Sequence, residues 1–299
     1  MEYNISKEEL GNDWLYNTLI ALDKCLTKHQ LPLYIVGARA RDFAIKLMKG
    51  DKPKRRTEDL DIAIAIENWQ IFDDLCITLL GNHFKRHSKT HKFFYKGEDG
   101  HMDFEVDIVP FGGVAVDEKI CWPPEGNPIM SVKCFNDVMN AAVPVNIDNK
   151  IKVKMAPLHG QFLIKLDTWN DRHCSTDKDA EDMLFILRNY LYIQLLYNGD
   201  NTPPDVVTFN DESVDAILWG TQWLAYDISQ ILSTNHLKFY SDLIARELGK
   251  EEKSELIYHF MKYYDNDIDD ISKYYPICRS IWNEFYKIFT DEIKNRSRS

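Results

Sequence analysis

The chain has 299 residues, of which 44% are hydrophobic and 28% charged, a balance that excludes an intrinsically disordered protein. Its formal net charge of -11 at pH 7 argues against a protein that covers nucleic acid or an anionic membrane with its whole surface. No apolar signal region opens the sequence, and no stretch approaches the roughly 18 apolar residues of a membrane span, which predicts a cytoplasmic protein without a membrane partner.

Apolar periodicity in the first half predicts a mixture of helices and strands. Ser6 is the expected N-cap of the first helix, and the proline-containing stretch after Gly113 is expected to form a surface loop. In chain order the predicted elements are a helix over residues 6–29, a strand over 33–36, a helix over 38–48, a strand over 60–66, a helix over 69–80, and strands over 93–96 and 102–109.

The pattern changes to long helical segments beyond Pro157, after a predicted hairpin over residues 143–147 and 151–155. The length of the chain favours two domains over one. We therefore predict an α+β protein: a mixed sheet flanked by helices in residues 1–155, followed by an α-helical C-terminal domain in residues 156–299 with a possible further boundary near 199–210. The helical segments cover residues 159–169, 177–197, 212–232, 237–248, 252–264 and 279–294.

Two runs of positive charge stand out from the acidic background. Each is interpreted either as a solvated loop or as a local surface for a polyanion. The first run contains Lys46, Lys49, Lys52, Lys54, Arg55 and Arg56, and the second contains Lys85, Arg86, His87, Lys89, His91 and Lys92.

The six cysteines are scattered without a Cys-x-x-Cys pair, and no zinc-binding spacing with histidine emerges. Reduced thiols are therefore expected. The neighbours His173 and Cys174 offer a nucleophile, but the sequence identifies no orienting partner for them. A structural or exposed role is expected for this pair.

Asp59 and Asp61 lie one residue apart where the strand over residues 60–66 begins. Period-two geometry places both carboxylates on one face, about 7 Å apart along the chain. Two neighbouring anions repel each other, and a divalent cation such as Mg²⁺ or Mn²⁺ is a natural compensation. The alternative is a solvated edge strand that carries acidic residues.

The strand over residues 102–109 offers a second acidic face, because Asp103, Glu105 and Asp107 alternate with apolar residues. Phosphoryl chemistry with two metal ions calls for a third carboxylate beside the aspartate pair. Asp107 is the preferred candidate, since it is nearest the exit of the strand at Gly112. Glu105 remains an alternative ligand.

A phosphate-binding turn is predicted at the end of the strand over residues 33–36. Gly37 lets the chain turn without a Cβ, and the N–H groups that open the next helix, including that of Ala38, can meet phosphate oxygens. Arg39, Arg41 and Arg55 would add guanidinium groups, which suit phosphate oxygens. Together these features predict a pocket for a polyanion.

The glycine turn, the Asp59-Leu60-Asp61 strand and Asp107 resemble the nucleotidyltransferase superfamily that includes DNA polymerase β. Residues 55–61 (RRTEDLD) and 106–113 (VDIVPFGG) look most like the AbiEii-type toxin nucleotidyltransferases. Residues 36–42 (VGARARD) are similar to the head of tRNA nucleotidyltransferases. Two features depart from the family pattern: alanine follows the glycine of the turn, and the interval from Gly37 to Asp59 is long.

The resemblance implies transfer of a nucleoside monophosphate from a nucleoside triphosphate to an acceptor hydroxyl, with release of pyrophosphate. Asp59, Asp61 and Asp107 would be the metal ligands and catalytic residues. The resemblance also implies that Thr57 contacts the nucleotide.

A lysine and a Lys-Asp-x-x-Asp segment follow the catalytic sheet in the AbiEii-like family, and Lys165 and Asp179 occupy the corresponding places. Carried over, Lys165 would hold nucleotide phosphates, and Asp179 would support that lysine or a substrate group. The alternative for Asp179 is a solvated helix start, where an acidic residue favours the helix dipole.

The toxin resemblance implies tRNA or another RNA as acceptor and an antitoxin protein as partner. The superfamily also allows a protein acceptor or a small molecule such as an aminoglycoside. A non-catalytic module that binds a nucleotide or a partner on the same fold is the rival hypothesis.

Overall fold

The structure, a computed structural model, describes residues 2–47, 59–89, 91–100, 103–124, 126–197, 202–208, 216–264 and 271–298. The described chain forms two compact units, the first ending at Pro157 and the second beginning at Leu158. The predicted α+β class is confirmed, because the first unit contains a mixed sheet with helices and the described elements of the second are helical. None of the described helices has the length and apolar character needed to cross a membrane.

The first unit alternates short strands with helices. Its elements are β1 (Tyr3–Ile5), α1 (Lys7–Leu10), α2 (Asp13–Lys28), β2 (Tyr34–Val36), α3 (Gly37–Leu47), β3 (Leu60–Ala65), α4 (Trp69–Leu80), β4 (Phe84–Arg86), β5 (Lys92–Tyr95), β6 (Phe104–Phe111), β7 (Lys119–Cys121), β8 (Ile129–Ser131), α5 (Phe135–Asn140), β9 (Val143–Ile147) and β10 (Ile151–Met155).

Eight of the described strands form one sheet in the order β1-β9-β10-β2-β3-β6-β5-β4, and β7 pairs with β8 separately. The pairs β1/β9, β10/β2 and β3/β6 are parallel, and the other neighbours in the large sheet are antiparallel. The central strands β3 and β6 follow the alternation expected from their sequences. Along β6, Val106 and Ile108 are fully buried while Asp107 keeps partial exposure.

Two predictions for the first unit are wrong. The segment over residues 6–29 forms two helices, because Gly11 takes a left-handed conformation with φ 67° that ends α1, and the Asn12 side chain then caps α2. The capping role of Ser6 is confirmed, since its hydroxyl accepts a hydrogen bond from the Glu9 N–H. The stretch after Gly113 is more than a surface loop, because Trp122 is 1% exposed and packs among other aromatic rings.

The second unit is built from long helices: α6 (Leu158–Arg172), α7 (Lys178–Tyr197), α8 (Ala216–Ile231), α9 (Thr234–Gly249), α10 (Glu255–Tyr264) and α11 (Tyr275–Arg296). Aromatic side chains join three of them. The buried Trp282 ring of α11 lies 4.8 Å from Phe260 of α10 and 6.1 Å from Phe162 of α6, measured between ring centroids. Phe162 also stacks on Phe285 at 5.1 Å. This aromatic cluster forms part of the core of the helical unit.

Candidate metal centre

Four residues on neighbouring strands lie in one row across the middle of the sheet. Asp61 of β3 is paired with Asp107 of the parallel strand β6 and with Val36 of the antiparallel strand β2. Asp107 is in turn paired with Lys92 of β5. Paired residues on adjacent strands project to the same face of a sheet. The register therefore brings together two carboxylates that are far apart in the sequence.

Gly37 packs directly against the Asp61 carboxylate. It follows Val36, opens α3 and has φ 66°, a conformation that favours glycine. A Cβ at this position would lie 2.0 Å from Asp61 Oδ2 and 2.6 Å from its Cγ. The absence of a side chain at Gly37 is thus what allows the start of α3 to approach the carboxylate.

Asp59 lies immediately before β3 and is partly exposed. Arg39, in the first turn of α3, donates a hydrogen bond from Nε to the Asp59 carbonyl oxygen at 3.1 Å. The Arg39 guanidinium also lies 5.7 Å from the centre of the Phe104 ring. Arg39 thereby links α3 to the residue that precedes β3. It has this structural role in addition to its predicted role in phosphate binding.

Lys92 contacts the candidate site, a position that the sequence-based predictions do not assign to it. Its Nζ lies 2.8 Å from both carboxylate oxygens of Asp107 and also contacts Glu105. The side chains of Lys92 and Asp107 are only 16% and 15% exposed. The second basic run is therefore not a uniformly solvated loop, since its last member is a mostly buried cation on β5.

A pattern in the sequence does indicate this pairing. Lys92 and Lys96 are four residues apart, and so are Asp103 and Asp107 on the next strand. Antiparallel pairing of β5 with β6 sets Lys96 against Asp103 at 2.7 Å, while Lys92 meets Asp107. Opposite charges at equal spacing on two consecutive strands indicate cross-strand ion pairs of this kind.

Burial raises the pKa of Asp107, and the neighbouring charges of Glu105 and Asp59 act in the same direction against the attraction of Lys92. Burial alone would lower the pKa of Lys92, but its bonds to Asp107 and Glu105 outweigh burial and raise that pKa. The ammonium therefore stays charged. The carboxylate oxygens of Asp59, Asp61 and Asp107 are the kind of donor that suits Mg²⁺ or Mn²⁺.

The other predicted phosphate-binding residues of the first unit differ in their surroundings. Ala38 lies in the first turn of α3, where helix geometry leaves N–H groups without intrahelical acceptors. Arg41 is 5% exposed and its Nη2 lies 2.7 Å from Asp42 Oδ1, so phosphate binding would require this guanidinium to leave a buried ion pair. Arg55 and Thr57 lie outside the described residues.

Lys165 and Asp179 meet within the second unit. Lys165 Nζ lies 3.4 Å from Asp179 Oδ1 and 2.7 Å from Asp182 Oδ2. The Asp179 side chain is fully buried and accepts two hydrogen bonds from Arg172, at 2.8 and 3.0 Å. The alternative of a solvated helix start for Asp179 is therefore wrong. Its carboxylate is the centre of an ion-pair network between α6 and α7.

No protein-family model and no curated protein matches the sequence. Among solved structures, the chain is similar to the CCA-adding enzyme of Thermotoga maritima, whose structure was determined in complex with tRNA. The two chains are 12% identical, with a TM-score of 0.31, and the match covers 95% of this chain and 84% of that one. A TM-score this low does not establish a common function, so the following proposal rests on the residues of the site.

Proposed function

We propose that the protein is a metal-dependent nucleotidyltransferase that transfers a nucleoside monophosphate from a nucleoside triphosphate to an acceptor hydroxyl. One observation carries the proposal: the parallel pairing of β3 with β6 sets Asp61 beside Asp107, while Gly37 at the start of α3 lies against the Asp61 carboxylate. The Asp61 carboxylate thereby lies both beside a second proposed metal ligand, Asp107, and beside the N-terminus of α3. This arrangement suits a metal-bound triphosphate.

Asp59, Asp61 and Asp107 would hold Mg²⁺ or Mn²⁺ through oxygen atoms. Divalent ions bound at such carboxylates supply charge stabilisation for phosphate oxygens and lower the pKa of an attacking hydroxyl. The N–H groups at Gly37 and Ala38 would bind phosphate oxygens.

Lys92 is a positioning residue in this proposal. Its two bonds to Asp107 hold the carboxylate in one orientation. Lys165 lies in the second unit, where Asp179 and Asp182 hold its ammonium group, and its binding of nucleotide phosphates rests on the sequence resemblance alone.

The preferred acceptor is an RNA hydroxyl, as in an AbiEii-like toxin, and this preference rests on the sequence resemblance. A small molecule or a protein is the alternative acceptor. An antitoxin partner remains a hypothesis of the same resemblance.

The test combines the protein with Mg²⁺, each labelled nucleoside triphosphate in turn, and total cellular RNA. Asp61→Asn and Asp107→Asn should each abolish label transfer while leaving the circular dichroism spectrum unchanged. Asp103→Asn is the matched control, because Asp103 lies just before the same strand but pairs with the partly exposed Lys96. Transfer by the Asp61→Asn variant at the wild-type rate would refute the metal assignment. Nucleotide binding without transfer to RNA, protein or small molecules would favour a binding module.

A further inference from the structure

Three potential metal ligands converge at one end of the helical unit. His173 and Cys174 directly follow α6, and Glu255 is the first residue of α10. One ligand atom from each of the three lies within 4.8 Å of those of the other two. The sequence offers no partner for His173, whereas the fold supplies Glu255 from a distant helix. We refer to these three residues as the His173 cluster.

The tautomer of His173 is set by the protein backbone. Its Nδ1 lies 3.0 Å from the carbonyl oxygen of Trp169, which can only accept a hydrogen bond. Nδ1 must therefore carry a proton, and in the neutral ring Nε2 presents a lone pair. Trp169 is fully buried and its ring stacks on the imidazole at 4.4 Å, so the orientation of the histidine is firmly held.

The lone pair of Nε2 points to another acceptor. Nε2 lies 2.9 Å from Glu255 Oε2, and an ionised carboxylate has no proton to donate. Two acceptors at this distance repel each other unless a positive charge joins them. That charge is either a second proton on the imidazole or a metal ion.

The thiol of Cys174 favours the metal ion. A protonated histidine paired with a glutamate needs no sulfur ligand, whereas zinc binds nitrogen, sulfur and carboxylate oxygen together. Histidines that bind metals commonly donate their other ring N–H to a backbone carbonyl, as His173 does to Trp169. Both Cys174 and Glu255 are exposed, so an ion can reach the cluster from solvent.

We propose that His173, Cys174 and Glu255 form a second metal site, which binds Zn²⁺ or a similar borderline-soft divalent ion through nitrogen, sulfur and oxygen. Water completes the tetrahedral set. Binding releases the thiol proton of Cys174 to solvent. The ion links the end of α6 to the start of α10 and is independent of the carboxylate site in the first unit.

Co²⁺ is the probe for this site, because a thiolate ligand produces a charge-transfer absorption band that oxygen ligands do not. Untagged, metal-free protein should take up one equivalent of Co²⁺ with this band, and Zn²⁺ should displace it. His173→Gln and Glu255→Gln should each weaken Zn²⁺ binding by at least about tenfold, since loss of even an outer-shell partner costs that much.

Cys174→Ser should abolish the band. Cys121→Ser is its matched control, because Cys121 is also an exposed free cysteine but lies in the first unit. Asp61→Asn should also leave the band unchanged. A wild-type protein without the band, or a band that survives Cys174→Ser, would show that His173 and Glu255 form only an ion pair. The melting temperatures of the variants, measured without metal, verify that each one is folded.

Discussion

Gly37 combines a left-handed backbone with the closest approach to a predicted metal ligand, since its φ is 66° and a Cβ would lie 2.0 Å from Asp61 Oδ2. We expect Gly37→Ala to displace the Asp61 carboxylate and to lower the rate of nucleotide transfer roughly a hundredfold, because misplacement by about 1 Å can cost that much. The backbone strain should lower the free energy of unfolding by roughly 1–2 kcal/mol. Transfer kinetics and urea unfolding measure the two effects.

Gly100→Ala separates strain from displacement. Gly100 has φ 72°, and a Cβ there would meet no atom within 4 Å. This control should share the loss of stability and keep the wild-type rate. Equal losses of activity in the two variants would contradict the role assigned to Gly37.

Lys92 compensates two carboxylates that are only partly exposed. We expect Lys92→Met to lower the free energy of unfolding by about 2 kcal/mol in metal-free buffer, because it leaves these charges without a partner. Mg²⁺ should restore part of the loss. Lys96→Met is the matched control: its partner Asp103 is 60% exposed, so about 0.5 kcal/mol or less is expected. Urea unfolding with and without Mg²⁺ tests both variants, and similar losses in the two would contradict the prediction.

At the scale of elements, the candidate metal centre depends on one strand pairing. The parallel register of β3 and β6 sets Asp61 opposite Asp107. A slip by one residue would turn Asp107 to the other face and expose the fully buried Val106 and Ile108. Burial of the apolar face therefore holds the acidic residues in place. The arrangement of the candidate metal centre is a consequence of packing.

Three helices of the second unit are connected through a buried phenol. The hydroxyl group of Tyr190 in α7 donates a hydrogen bond to the carboxylate of Asp227 in α8. His159 Nδ1 of α6 lies 3.4 Å from the same hydroxyl oxygen. Burial raises the pKa of Asp227 from 3.8 to about 6, although the Tyr190 bond opposes this shift. Burial lowers the pKa of His159 from 6.5 to about 4.

The raised pKa of Asp227 makes stability depend on pH. The folded protein binds the carboxyl proton of Asp227 more tightly than the unfolded chain does. The contribution of this proton to the free energy of unfolding is therefore complete below pH 3.8 and is lost as pH rises through about 6. Asp227→Asn keeps an acceptor for Tyr190 without titrating. From pH 4.5 to 7.5 the stability of this variant relative to wild type should rise by roughly 2 kcal/mol, as urea unfolding can measure.

His159 acts in the opposite direction, since its contribution is present above about pH 6.5 and is lost as pH falls towards 4. Wild type and Asp227→Asn both contain His159, so its contribution largely cancels in the difference between their free energies of unfolding. A constant difference between wild type and Asp227→Asn across this range would contradict the raised pKa.

At the scale of the whole molecule, a formal net charge of -11 opposes the approach of RNA. An RNA acceptor would therefore depend on local basic residues. Lys85 and Arg86 are exposed on the edge strand β4, whereas the first basic run, including Lys52 and Lys54, lies largely outside the described residues. RNA binding, if present, should weaken steeply as salt is raised.

Lys85→Gln/Arg86→Gln should weaken RNA binding and reduce the slope of log affinity against log salt by about 1 for each phosphate group that these two side chains neutralise. Filter binding over a range of salt concentrations measures the slope. Lys152→Gln is the matched control, because Lys152 is 77% exposed on β10 of the same unit. An unchanged slope in the double variant would exclude this surface as the RNA-binding site.

Local patterns in the sequence determine much of the first unit. The bounds of α4 and of the hairpin β9–β10 agree with the predicted ranges. Alternation along the strands also predicts that Asp59 and Asp61 share one face and that Asp107 lies on the acidic face of a later strand. Periodicity suffices here because it reports which residues of one element share a face. The same information places Gly37 at a turn without showing that it lies against Asp61.

Only the tertiary structure decided which elements meet. Lys92 lies in a basic run that is interpreted from the sequence either as a solvated loop or as a polyanion surface, and its contact with Asp107 depends on the pairing of β5 with β6. His173 and Glu255 come together only because the end of α6 lies near the start of α10. Strand order and helix packing are set by burial of apolar surface over a whole unit, which a local pattern such as the spacing of Lys92 and Lys96 supports but does not determine. The sequence therefore predicted the carboxylates, and the fold determined their counter-charges and neighbours.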